Sequence, residues 1–193
     1  MKTRLRSTPN KAKSAGFTII ELVVAIAIIG ILAATMTSTM STDRAKVTSI
    51  IDTSAQIKAS LARFNADTGC YPHKLDALFV QADATGTAAD VGFCTSSVTA
   101  AWRELYLDST GYNAATNGLL STQFGPSSEI TTGYDAVSGT YFLNISNIPT
   151  TILNKAVNQC NNAAATATPT SAWGNGVACI VNGTNYQYQF AHT

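Results

Sequence analysis

Glu21, Cys70, Cys94, Cys160, Cys179, His73 and His192 are the residues of this 193-residue chain whose types and positions could do chemistry. Glu21 stands immediately before 21 uncharged residues, Leu22 to Thr42. A carboxylate placed in hydrocarbon is costly and usually marks function. The four cysteines allow three pairings. No CxxC and no spaced His pair accompanies them, which argues against a zinc site. His73 follows Pro72 in an expected loop and His192 is one residue from the last residue. Both positions suit a solvated imidazole better than a catalytic one. The strings GxxxxGK, GxSxG and HExxH are absent. The expectation is therefore no enzyme, no cofactor and no metal. Asp83 and Asp90, with nearby carbonyls, are a weak calcium candidate that lacks the EF-hand pattern. Asn144-Ile145-Ser146 and Asn182-Gly183-Thr184 match the N-glycosylation acceptor string, which is read here as chance.

The elements that must position these groups begin with a break in composition. Residues 1–16 hold five cations and no acid, so the other seven cations face all 11 acids and residues 17–193 carry a net −4. The overall +1 hides that asymmetry, and the low charged fraction of 12% reflects the apolar segment. That segment approaches the ~20 residues needed to cross a bilayer core. Five cations before it, against only Arg44 and Lys46 close behind it, leave the head cytoplasmic and export the rest. Three readings follow: a signal peptide cut after the apolar run, an uncleaved anchor, or a cut before the run between Gly16 and Phe17. No clean A-x-A stands near Ala33-Ala34 for the first.

The string Gly16-Phe17-Thr18-Ile19-Ile20-Glu21-Leu22, with its apolar continuation to Ala34, resembles the N-terminus of the type IV pilin and pseudopilin family. The resemblance is strong over residues 11–45 and weak beyond. It implies that a prepilin peptidase removes residues 1–16 and methylates the new amine of Phe17. It also implies an inner-membrane precursor, single-pass with its C-terminal domain outside the cytoplasm. An assembly ATPase and an inner-membrane platform protein would then drive it into a helical homo-oligomeric fibre, through a secretin. Glu21 would pair with the Phe17 amine of the neighbouring subunit and set axial register, because a buried charge punishes misplacement more than apolar packing does. One departure is Ser38, where many members carry a Pro about eight residues after the Gly that Gly30 matches.

The segments are thus expected as leader 1–16, transmembrane and fibre-core helix 17–42, and exported globular domain 43–193. Val47, Ile50, Ser54, Ile57, Leu61 and Phe64 recur at helical spacing, so one helix should run from Phe17 to about Ala66, apolar in its first half and amphipathic in its second. Gly69 and Pro72 should stop it. Phe64-Asn65, Gly69, Tyr71-Pro72 and Leu75 resemble a stretch after the long helix in pseudopilins and some pilins. Residues 73–135 read as irregular, with Trp102 and Tyr106 as core residues that could share a helical face. A strand is expected over Thr140–Ile148, with Leu143 and Ile145 on one face and Phe142 on the other. A short helix should follow Pro149. Strands at Val177–Val181 and Thr184–Phe190 flank Asn182-Gly183, a strong hairpin signal, and Tyr186, Tyr188 and Phe190 should cover the helix stripe. The fold class is α+β: a long N-terminal helix on a C-terminal antiparallel sheet.

All four cysteines lie in the part expected to be exported, where thiols oxidise. Nearest-neighbour pairing, Cys70–Cys94 and Cys160–Cys179, is the preferred choice. By the resemblance, a disulfide near the C-terminus bounds a variable surface region in many pilins. The mature net of −4 and scattered cations oppose direct nucleic-acid binding. The resemblance therefore implies a structural pilus subunit for adhesion, motility or uptake, ending in an extracellular pilus. A type II secretion pseudopilin is the alternative, and a membrane-anchored exported enzyme is a distant one.

Overall fold

The computed structural model describes residues 18–108, 112–113, 118–121 and 123–193, with the side chains of 31–41, 112, 113 and 120 left aside. The chain divides into two units, Met1–Ser41 and Thr42–Thr193. Helix α1 spans Ile19–Thr68. In the first unit its described side chains, Glu21 apart, are apolar and bare: Ile19, Ile20, Leu22, Val23, Val24, Ile26, Ile28 and Ile29 are all exposed. Among the described residues no helix is long and apolar enough to cross a membrane. The described apolar side chains stop at Gly30, and those of 31–41, which would extend the run, lie outside the description.

In the second unit α1 turns amphipathic. Every residue of the stripe Val47, Ile50, Ser54, Ile57, Leu61 and Phe64 is buried, as the 3-4 spacing requires of a helix with one covered face. Ser54 is tolerated there because its hydroxyl donates to the Ile50 carbonyl at 2.8 Å, so no polar group is stranded. The helix ends at Thr68 because Gly69 adopts φ +80, the left-handed cap that glycine takes without steric cost. The Gly69 N–H donates to the Asn65 carbonyl at 2.8 Å.

A six-stranded, wholly antiparallel sheet covers the stripe, consisting of β1 (Tyr112–Asn113), β2 (Gly118–Leu120), β3 (Glu129–Asp135), β4 (Thr140–Ile145), β5 (Cys179–Asn182) and β6 (Asn185–His192). Its order is β1-β2-β3-β4-β6-β5. Ile145 sits opposite Ile130 and Tyr186, and Leu143 opposite Thr132 and Tyr188, so the inner face is read directly from the register. Tyr186 and Phe190 are buried, and the Lys58 ammonium lies 5.5 Å from the Tyr188 ring centroid. Helix α2 (Thr150–Cys160), which follows Pro149, adds Ile152, Leu153, Ala156 and Val157 to the same core. The Lys155 ammonium reaches the Asp43 carboxylate at 3.0 Å, tying α2 to α1.

Three expectations are corrected. The irregular reading of 73–135 missed β3, a central strand. The 101–107 segment is not helical, although Trp102 and Tyr106 still pack edge-on, with ring centroids 5.7 Å apart. The β5–β6 register pairs Asn182 with Asn185, so Gly183-Thr184, not Asn182-Gly183, occupies the turn centre. Gly183 has φ +63, and Thr184 is not among the positive-φ residues. Glycine first with one positive φ is the II′ arrangement.

Candidate functional site

The N-terminal site can be built only from Thr18 onward. Gly16 and Phe17, the expected cleavage and methylation residues, lie outside the described residues, as does the leader 1–16. Thr18 precedes the first helical residue. The Glu21 N–H donates to the Thr18 carbonyl at 3.1 Å and faces its Oγ1 at 3.4 Å. Thr18-Ile19-Ile20-Glu21 is a T-x-x-E string, the capping-box pattern at a helix start. That signal is legible in the sequence. It places Glu21 in the first turn, where a negative charge complements the helix dipole. The Glu21 side chain is exposed and makes no ion pair or hydrogen bond among the described residues. A carboxylate without a partner on an otherwise apolar surface is costly once that surface is desolvated. A surface that buried this helix would favour Glu21 only by bringing a cation or a set of donors to it.

The two disulfides organise the second unit. Cys70 is bonded to Cys94 across 24 residues and Cys160 to Cys179 across 19, the nearest-neighbour pairing. Closing a loop of this length can contribute about 3 kcal/mol. Within the first loop, the His73 Nδ1 lies 2.9 Å from Asp90 Oδ1. The other oxygen of Asp90 accepts the Thr87 N–H at 2.8 Å and faces the Thr87 hydroxyl at 3.2 Å. The Thr87 backbone bond, helped by His73 against the opposing effect of burial, holds the Asp90 carboxyl below the ordinary carboxylate range. His73 is therefore exposed yet engaged, and its ring lies 5.1 Å from that of Phe93. His192 Nδ1 lies 2.9 Å from the Gly139 carbonyl oxygen. The two imidazoles share no site. Among the described residues no group of three or more His, Cys, Asp or Glu could hold a metal ion.

The second loop runs from α2 back to β5 and is stapled by Asn161. Its Oδ1 accepts the N–H groups of Ala178 and Cys179 at 2.9 and 3.0 Å, and its Nδ2 donates to the Cys179 carbonyl at 2.7 Å. Trp173, on this loop, packs on Phe142 of the sheet's outer face, with centroids 5.8 Å apart. Asn161 and Trp173 escaped sequence reasoning because they sit in a stretch of Ala, Thr and Gly with no periodicity. Cys179 Sγ lies 2.9 Å from the Tyr186 hydroxyl in the core, and burial pushes that phenol well above its ordinary range. Of the two acceptor strings, Asn144 lies mid-strand and its Oδ1 accepts from Gln187 Nε2 at 3.2 Å. Asn182 is exposed at the hairpin tip.

Comparison with protein families matches residues 11–37 to the prokaryotic N-terminal methylation motif. The chain thus carries the type IV pilin and pseudopilin signature, over a minority of its length. That motif implies a prepilin peptidase substrate and entry into pilus assembly. No curated protein and no solved structure matches the chain.

Proposed function

We propose that this chain is a structural subunit of a type IV pilus. The observation that carries the reading is the methylation motif at 11–37, continued by a helix whose described side chains from Ile19 to Ile29 are apolar, exposed and interrupted by a single carboxylate, Glu21. On this reading a prepilin peptidase cuts between Gly16 and Phe17 and methylates the Phe17 amine. The uncharged run Leu22–Thr42 holds the precursor in the inner membrane, with residues 43–193 outside the cytoplasm. An assembly ATPase and a platform protein then drive the helices together into a fibre core, and a secretin passes the fibre to the cell surface. The subunit itself catalyses nothing. Its work is done by apolar packing between helices and by Glu21, which meets the Phe17 amine of the next copy and fixes the stagger.

N-terminal sequencing and mass spectrometry of sheared surface filaments test this directly. The expected first residue is N-methylated Phe17, and a mature chain that retains residues 1–16 or starts beyond the apolar run sinks the reading. In addition, Glu21→Ala should leave a folded, membrane-inserted subunit whose fibre yield falls at least tenfold by immunoblot of sheared material. The second reading, a type II secretion pseudopilin, draws support from Tyr71-Pro72 and the buried Leu75 immediately after the helix cap at Gly69. Short assemblies confined to the envelope, with no surface filaments by electron microscopy, would favour it.

A further inference from the structure

Three tyrosines meet on the inner face of the sheet, against the loop closed by Cys70–Cys94. The register sets Tyr134 of β3 directly opposite Tyr141 of β4, and residues so paired hold their Cβ atoms about 4.5–5.5 Å apart. Their ring centroids lie 4.6 Å apart, with the planes inclined at 41°. Tyr71 also reaches Tyr141, but farther off and more steeply, at 4.9 Å and 52°. The closer pair is clamped. The Tyr141 hydroxyl donates to the Gly92 carbonyl, and a Cβ at Gly92 would clash with the Tyr134 ring, so that glycine backs both rings. Phe93 packs edge-on to each, with centroids 6.4 and 5.7 Å away. Asp135 fixes the turn between the two strands, accepting the Val137 N–H at 3.0 Å and the Ser138 hydroxyl at 2.6 Å. Tyr141 is buried and Tyr134 half-buried. Among the described residues the Tyr134 hydroxyl is bonded to no group. Tyr134 is thus the ring of this pair that an oxidant in water meets first.

That arrangement selects a reaction. A phenol that loses one electron and its hydroxyl proton becomes a phenoxyl radical, its unpaired electron shared among the oxygen and the ortho and para carbons. The para carbon already carries Cβ, so two such radicals join through their ortho carbons. Each ortho hydrogen then moves to its own oxygen, which restores both phenols. The pair gives up two electrons and two protons in all, and one hydrogen peroxide takes them up to become two waters. Rings held in contact couple as a unimolecular step, which outpaces encounter between dilute chains. We propose that Tyr134 and Tyr141 form an oxidative cross-linking site, which peroxide-derived one-electron oxidants convert to a dityrosine within one chain. The link consumes oxidant while joining β3 to β4 instead of one copy to another. The inference stands on the second unit alone and does not depend on how the chain assembles.

The test uses the full chain, dilute and in detergent, with a small haem peptide as catalyst and hydrogen peroxide as oxidant. Free tyrosine in a parallel reaction confirms that phenols couple under these conditions. After reduction of the disulfides, the product should run as a monomer, show dityrosine fluorescence and have lost the mass of two hydrogens. No Lys or Arg lies between Glu104 and Asn154, so trypsin leaves both tyrosines in one peptide. Cleavage before Asp135 should then give two pieces that stay joined through Tyr134 and Tyr141. Tyr134→Phe, which keeps the ring and removes the phenol, should lower the intrachain yield about tenfold or more, whereas Tyr71→Phe should leave it unchanged. The peptide map of the unsubstituted chain decides the matter should a variant fail to fold. Links found only between chains, a link mapped to Tyr71, an undiminished yield in Tyr134→Phe with its circular dichroism intact, or no dityrosine where free tyrosine couples each overturns the proposal.

Discussion

Asp90 accepts from Thr87 with one oxygen and meets His73 with the other, so a single side chain fastens two points of the loop closed by Cys70–Cys94. Its depressed folded-state pKa has a consequence with a definite direction. Unfolded, the carboxyl titrates near 3.9. Folded, it stays ionised to lower pH, so its contribution to stability is full above the unfolded value and is lost as pH falls through the folded one. Urea midpoints measured from pH 6 down to pH 2 should therefore fall more steeply for the unsubstituted chain than for Asp90→Asn. The two curves should converge at the acid end, and parallel curves would show that Asp90 contributes nothing. At this scale the sequence was legible where a residue contradicts its surroundings. Glu21 stood out against 21 uncharged neighbours. Asp90 and Trp173 did not, because their meaning depends on residues brought from far along the chain: His73, 17 positions before Asp90, and Phe142, 31 positions before Trp173.

Helix α1 is the element that sequence alone describes best. Periodicity is local, so the stripe from Val47 to Phe64 could be read without knowing what covers it, and all six of its residues are buried. Leu61 is fully buried in that stripe. Leu61→Ala should cost about 2–5 kcal/mol, read as a lowered urea midpoint at unchanged slope. Strand β3 is the opposite case. Glu129-Ile-Thr-Thr-Gly-Tyr-Asp135 shows only Ile130 and Tyr134 as large apolar residues, with glycine between them where a strand is normally weakened. The reason for Gly133 lies on the neighbouring strand. The Phe142 ring lies across it, and a Cβ there would clash with Phe142 Cζ. Gly133→Ala should therefore displace Phe142 and cost about 1–3 kcal/mol by overpacking. If thermal unfolding of the variant matches that of the unsubstituted chain, the ring has room that the structure denies it. The hairpin shows a finer limit. The dipeptide announced a turn, but the Asn182–Asn185 pairing that centres it on Gly183 belongs to the sheet, not to the dipeptide.

Across the whole molecule the chemistry divides between the two units. The described part of the first is an apolar helical surface with one carboxylate, while the second holds both disulfides and the core. The fold class was legible because each half announces itself by a different pattern. The strand order was not, since β1 and β2 are two and three residues long and carry no alternation to read. Breaking the second disulfide with Cys160→Ser/Cys179→Ser should cost about 3 kcal/mol by the loop-closure argument, measured by urea unfolding against the untreated chain.

The larger consequence of that loop concerns the rim of the sheet. β5 is the outermost strand on its side, and an open rim of N–H and C=O groups is a template for runaway strand pairing with other chains. Here the Val181 N–H is already taken by the Thr170 carbonyl at 2.8 Å, and the opposite rim, β1, is only two residues long. The sheet thus offers few places for a second copy to add itself by backbone bonding. Association by accident is thereby discouraged on the described part of the sheet. At high local concentration an open rim would otherwise invite amyloid-like stacking. The clasp around Thr170 is, in that sense, a safeguard of solubility, and thioflavin-positive aggregates should emerge first from the Cys160→Ser/Cys179→Ser chain.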